Sequence, residues 1–189
     1  MKKIALVLLI LLMATPVFAA KPLRSGFYVG AKTGAMRVNM KREGEKEDDI
    51  VFPFALSLGM RIRHFRLEAE YSFGTKAKFE NGYEQETEFV SGQLYYDIPF
   101  KSAIRPYVNF GIGRHSTHIK ETKTLTRNGF KETRKGWKWD VGGGVTWNIS
   151  NAVNIDLGYR YLDIGDLKTQ NGTMKTQHHF VYLGWRYVF

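Results

Sequence analysis

The hexapeptide Gly113-Arg114-His115-Ser116-Thr117-His118 sets two imidazoles around a hydroxyl, the residue types that cleave esters or hold a metal ion. A nucleophilic serine needs an imidazole within hydrogen-bond reach and an acid to orient that imidazole. Side chains of adjacent residues on an extended strand leave on opposite faces, so His115 cannot serve Ser116 there. The spacing of three between His115 and His118 separates them too, and adjacent His178 and His179 also part. Cysteine is absent, which removes thiolate metal sites and disulfides. Gly142-Gly143-Gly144 interrupts an alternating segment with no helix after it, so a phosphate loop is not indicated, and relief of crowding or a sharp bend is. No catalytic, metal or cofactor-binding residue is assigned, and the expected protein is not an enzyme.

The other chemistry-bearing set is a dispersed group of charges: Lys32, Arg61, Arg66, Glu68, Glu70, Asp97, Lys138, Asp140, Asp156, Arg160 and Arg186. The elements that carry them are strands. From Val153 to Tyr161, odd positions are apolar (Val153, Ile155, Leu157, Tyr159, Tyr161), and Asn154, Asp156, Gly158 and Arg160 oppose them. Such period-2 alternation marks a strand. The same pattern covers 137–149, with Trp137, Trp139, Val141, Val145, Trp147 and Ile149 on one face, and 65–73, where Arg66, Glu68 and Glu70 oppose Phe65, Leu67 and Ala69. It returns over 26–35, 51–62, 89–98, 105–114 and the terminal HHFVYLGWRYVF, which makes about eight strands. Short connections fall at 63–64, 99–104 and 150–152, and longer polar ones at 39–49, 115–135 and 165–175. The link at Glu80-Asn81-Gly82 is short, between strands polar enough to project beyond a membrane.

Alternation serves two architectures: a soluble barrel with apolar residues inside, and a membrane barrel with them outside. The first 19 residues read as a cleaved signal peptide, with Lys2-Lys3, an apolar run from Ile4 to Met13, and Ala19 at the cut. That leaves residues 20–189 as one barrel domain in an exported protein. The formal charge of +10 then points to anionic lipid, lipopolysaccharide or host polysaccharide, with no nucleic acid as partner. Aromatics gather towards strand ends (Trp137, Trp147, Tyr161, Trp185, Phe189), as membrane interfaces favour. The polar face mixes charges with glycines, which suits a narrow interior where charges pair. Six of the charged set are basic and five acidic, so a plug of paired side chains is the expectation and a narrow solute channel the alternative.

The segments GFYVGAKTGA, PYVNFGIGRHS, DVGGGVTWNISNAVNIDLGYRYLDIG and HHFVYLGWRYVF resemble the opacity-protein and outer-membrane-protein-A-like eight-stranded barrels. The resemblance spans most of residues 25–189 and implies a closed, antiparallel, up-and-down transmembrane β-barrel of the bacterial outer membrane. It also implies that Gly184, Trp185, Tyr187 and Phe189 form the assembly signal read by the barrel-assembly machinery. Some outer-membrane barrels are serine hydrolases acting on lipids, with a His and a Ser on a late strand; the comparable strand YRYLDIGD has neither, which leaves a lipid-modifying activity as the remaining alternative. Surface loops would carry the function, by adhesion to host polysaccharide or a host surface protein. Residues 114–138 hold eight basic and two acidic side chains, and Arg127, Lys131, Arg134 and Lys135 are its expected binding patch.

Overall fold

The computed structural model describes residues 25–42, 45–78, 83–99, 102–121, 131–169 and 172–189. The expected signal peptide and Arg127 lie outside the described residues. The strands are β1 (Gly26–Arg42), β2 (Glu45–Val51), β3 (Phe54–Ile62), β4 (Phe65–Lys78), β5 (Tyr83–Asp97), β6 (Ile104–Glu121), β7 (Lys131–Asn148), β8 (Val153–Thr169) and β9 (Gly172–Val188). From β3 onward each pairs antiparallel with the next in the chain. β9 returns to β1 from Tyr28↔Val188 to Lys41↔Lys175, and this pairing closes the barrel.

Nine segments make eight staves. β2 and β3 lie end to end against the same edge of β1, with Met36↔Val51 above Thr33↔Phe54. Alternation runs unbroken through 51–62, so the sequence predicts a single strand there. The break falls at Phe52-Pro53, because proline has no N–H to give the ladder. Two further irregularities, at Ser72/Thr75 and Asp163/Asp166, each contain a glycine with positive φ, Gly74 (82°) and Gly165 (73°).

The apolar faces point outward. Phe54, Leu56, Leu58, Leu67, Val90, Leu94, Phe110, Ile112, Leu157, Val181 and Leu183 are all exposed around the middle of the wall. In a bilayer this belt meets acyl chains, and closure leaves no unpaired backbone edge among them. The turns at 63–64 and 149–152 and the adjoining ends of β5 and β6 share one rim with Gly26 and Phe189. There Ser150 Oγ accepts from the Val153 amide at 2.9 Å, and the His64 carbonyl accepts from the Asp97 amide at 2.8 Å.

At the opposite rim the ladders outrun the alternation. β6 and β7 stay paired up to Lys120↔Lys131, and β8 and β9 up to Thr169↔Gly172. Much of the three polar connections expected at 39–49, 115–135 and 165–175 is therefore strand. Above the belt the outer face meets water and is polar, so the sequence signal vanishes while hydrogen bonding continues. The inner face changes in the opposite sense: Met36, Val38, Val51, Ala77, Phe89, Leu162, Ile164 and Phe180 form a buried apolar cluster inside this extension. The barrel is charged within and apolar without through the membrane; beyond it the outer face is polar and the interior mixes this apolar cluster with Gln85, Thr87, His115, Thr117 and His178.

Depth should set the cost of an outward cation. Leu157 is 54% exposed at mid-belt, whereas Gln177 faces outward above it. Leu157→Arg is expected to lose about 2–4 kcal/mol and Gln177→Arg about 0–1 kcal/mol. Urea titration of the protein folded in lipid vesicles measures both; equal losses would refute the placement of the belt.

Candidate functional site

All the charged residues of the dispersed set are buried inside the barrel. Nearest the short-turn rim, Arg186 grips Asp156 with two bonds, Nε to Oδ2 at 2.6 Å and Nη2 to Oδ1 at 2.8 Å. Thr146 Oγ1 donates to Asp156 Oδ1 at 2.5 Å. Arg66 Nη1 stands 3.5 Å from Asp156, and its Nε donates to Asp97 Oδ1 at 3.0 Å. Arg61 Nη2 reaches the other Asp97 oxygen at 2.7 Å. One stave-width higher, the Lys32 ammonium sits between Glu68 at 2.5 Å and Glu70 at 2.6 Å. Arg160 holds Glu70 with both terminal guanidinium nitrogens, at 2.7 and 3.2 Å. Higher again, Lys138 meets Asp140 at 2.9 Å, and Gln93 Nε2 donates to the same carboxylate at 2.8 Å.

Pairing at these distances offsets the several kcal/mol that each buried ion would otherwise cost. Removing one partner exposes that cost in full. The carboxylates lie on β4, β5, β7 and β8 and the cations on β1, β3, β4, β7, β8 and β9, so the bonds cross the lumen as well as linking neighbours.

Sequence reasoning missed the tyrosines in this network. Tyr28 Oη donates to Glu68 at 2.9 Å, Tyr95 Oη accepts from Lys32 at 2.9 Å and from Arg160, and the Tyr107 and Tyr182 hydroxyls meet at 2.8 Å. Arg66 lies 4.2 Å from the Tyr95 ring centroid and Arg160 4.9 Å from that of Tyr182. A guanidinium over an aromatic face gains attraction without a second carboxylate. A tyrosine on the polar face of an alternating strand, as Tyr28 is between Phe27 and Val29, is the available signal. These rings fit because glycines face them: a Cβ at Gly158 would fall 2.3 Å from Tyr107 Oη. Gly144, within the triple glycine, would strike the Leu157 carbonyl at 2.2 Å.

The histidines are spread over both faces. His115 and His178 are buried in the upper interior, with His178 Nδ1 3.2 Å from Met36 Sδ and its ring edge-on to Phe89. His118 and His179 face outward, His179 bonded to Tyr159 Oη at 2.7 Å. Ser116 leaves the strand opposite to His115. Among the described residues no three acidic or histidine side chains converge as metal donors.

Trp185, Tyr187 and Phe189 line the outer face of β9, and the Phe189 amide donates to the Phe27 carbonyl at 2.9 Å across the closing seam. Gly184 faces inward, where a Cβ would stand 3.2 Å from Lys32 Cγ. The four-residue basic patch is split. Lys131 belongs to β7, though its side chain, like all of Arg127, lies outside the description, and alternation sends half-buried Arg134 and exposed Lys135 to opposite faces.

Comparison with known proteins agrees with this architecture. The family model described as outer membrane protein beta-barrel domain matches residues 5–189. Outer membrane protein PagN of Salmonella typhimurium is 23% identical over 107 residues, covering 54% of this chain and 44% of PagN. The chain thus matches less than half the length of that relative. The crystal structure of Neisserial surface protein A superposes with a TM-score of 0.66 at 23% identity, over 87% of this chain and 98% of that one. Ail, the attachment invasion locus protein of Yersinia pestis, gives 0.54 at 16% identity, over 87% and 100%. At these identities the likeness is one of fold.

Two aspartates separate the worth of buried and exposed pairs. Asp156→Ala leaves Arg186 without its carboxylate and is expected to cost about 3–5 kcal/mol in urea unfolding. Asp48→Ala breaks the exposed 2.8 Å pair with Arg37 and should cost about 0–1 kcal/mol. Similar losses at both positions would contradict the interior network.

Proposed function

We propose that this chain, which belongs to the outer membrane protein beta-barrel domain family, is a non-enzymatic integral barrel that acts through its exposed outer end and keeps its lumen closed. The observation that carries this reading is the interior network: each of the charged side chains from Lys32 to Arg186 has an opposite charge or carboxylate partner at hand. Eight staves leave an interior just wide enough for side chains to fill, and ions bound to one another offer no free relay to a passing solute. Export through the leader at residues 1–19, and insertion through recognition of Gly184, Trp185, Tyr187 and Phe189 by the barrel-assembly machinery, complete the reading.

The outer end would meet lipopolysaccharide and anionic host polysaccharide. The cation-rich stretch 114–138 supports this, as does Ail, whose crystal structure in complex with the heparin analogue sucrose octasulfate resembles this fold with a TM-score of 0.51. Several cations binding a polyanion make an affinity that salt screens.

The closed lumen predicts no stable conductance steps in planar bilayers; steps of porin size would replace it with the channel reading. The adhesive end predicts that cells displaying the protein bind heparin at low ionic strength and release it at roughly half-molar salt. Changing Arg127, Lys131, Arg134 and Lys135 together to serine should abolish that binding without changing heat-modifiable gel migration. Undiminished heparin binding by the fourfold variant would remove the polysaccharide reading.

A further inference from the structure

Resting on the proposed contact of the outer end with lipopolysaccharide, we propose that the outer face of β4–β7 carries a binding site for the phosphoryl group of an outer-leaflet glycolipid, held between Arg114 and Lys135. Ladder pairing aligns Tyr71, Val90, Arg114 and Trp137 in one outward row. Glu88, Ser116 and Lys135 form the row above it. The two rows wall an open groove of 410 Å³. Just below lie the exposed apolar side chains of Leu94, Ile112 and Trp139, and just above lie exposed Lys76 and Glu86. The groove therefore sits where acyl chains give way to headgroups.

Its cations are available. Among the described residues, the outward cations Arg37 and Lys76 of this rim are neutralised, Arg37 by Asp48 at 2.8 Å and Lys76 by Glu84 at 3.4 Å. Among the described residues neither Arg114 nor Lys135 has a carboxylate partner. The Arg114 guanidinium lies 5.0 Å from the ring centroid of Trp137, itself 64% exposed, an attraction that holds the cation on the outer face. Glu88, the carboxylate that lines the groove, is a diagonal neighbour of Arg114 across the β5–β6 ladder and stands two strands from Lys135, roughly 9.5 Å. Arg114 and Lys135 are diagonal neighbours on one face, at a spacing of about 7 Å that one phosphoryl group can bridge. A guanidinium fork and an ammonium together match its oxygens. Val90 and the belt beneath would take the lipid's first methylenes, and that apolar floor favours a lipid-borne phosphate over a soluble one.

The test uses the intact barrel in phosphatidylcholine nanodiscs that also contain bisphosphorylated lipid A, with native mass spectrometry of the protein extracted in mild detergent. One lipid A should be retained per barrel, and dephosphorylated lipid A should be lost. The variant Arg114→Gln with Lys135→Gln should retain about tenfold less, the loss of one charged hydrogen bond or more. Arg37→Gln, at an already paired cation, should retain as much as the parent. Heat-modifiable migration verifies that each variant is folded. Retention of the dephosphorylated lipid, undiminished retention by the double variant, or displacement of lipid A by millimolar inorganic phosphate would each overturn the site.

Discussion

The pairing of β9 with β1 is the constraint from which the remainder follows. Within a bilayer an unpaired amide has no water to bond, so a sheet survives there only when its last edge meets its first. Here that seam runs from Tyr28↔Val188 to Lys41↔Lys175, the full height of the wall. Closing at eight staves also fixes the bore. A bore of that size admits side chains and little else, so every inward residue must fit against those across the lumen. Glycines opposite Tyr28, Tyr107 and Tyr182 are the steric consequence, and the mutual pairing of arginines with carboxylates is the electrostatic one.

The axial change in polarity follows from the solvent on the outside. Where lipid surrounds the wall, the apolar side chains go outward and the polar ones are forced together. Where water surrounds it, polar residues such as Lys76 and Lys135 face out, and Met36, Phe89 and Phe180 pack within. Burial of that upper cluster gives the protruding ladders a core of their own, worth about 25 cal/mol for each Å² removed from water. The groove beside Trp137 lies at the junction of the two regimes, where a charge on the wall can still meet a lipid headgroup.

What the sequence by itself determined is the identity of the inner and outer faces within the membrane. Leu157 and Asp156 differ by one position, and lipid on one side with a packed bore on the other leaves each only one acceptable face. That alternation placed Lys32, Glu70, Arg160 and the other charges inside. It could not name their partners, because Arg160 and Glu70, like Arg66 and Asp156, stand 90 positions apart and meet only across the closed lumen. Nor could it show the tyrosines stacked among them, since a phenol suits either face. The break at Pro53 was hidden by alternation that continues through it. The polar ladders at 115–121 and 131–136 were hidden for the converse reason: above the belt both faces of the strand lose the contrast that lipid imposes, and only backbone pairing between β6 and β7 reveals them. The splitting of Arg134 from Lys135, and the meeting of Lys135 with Arg114, were decided there, by register.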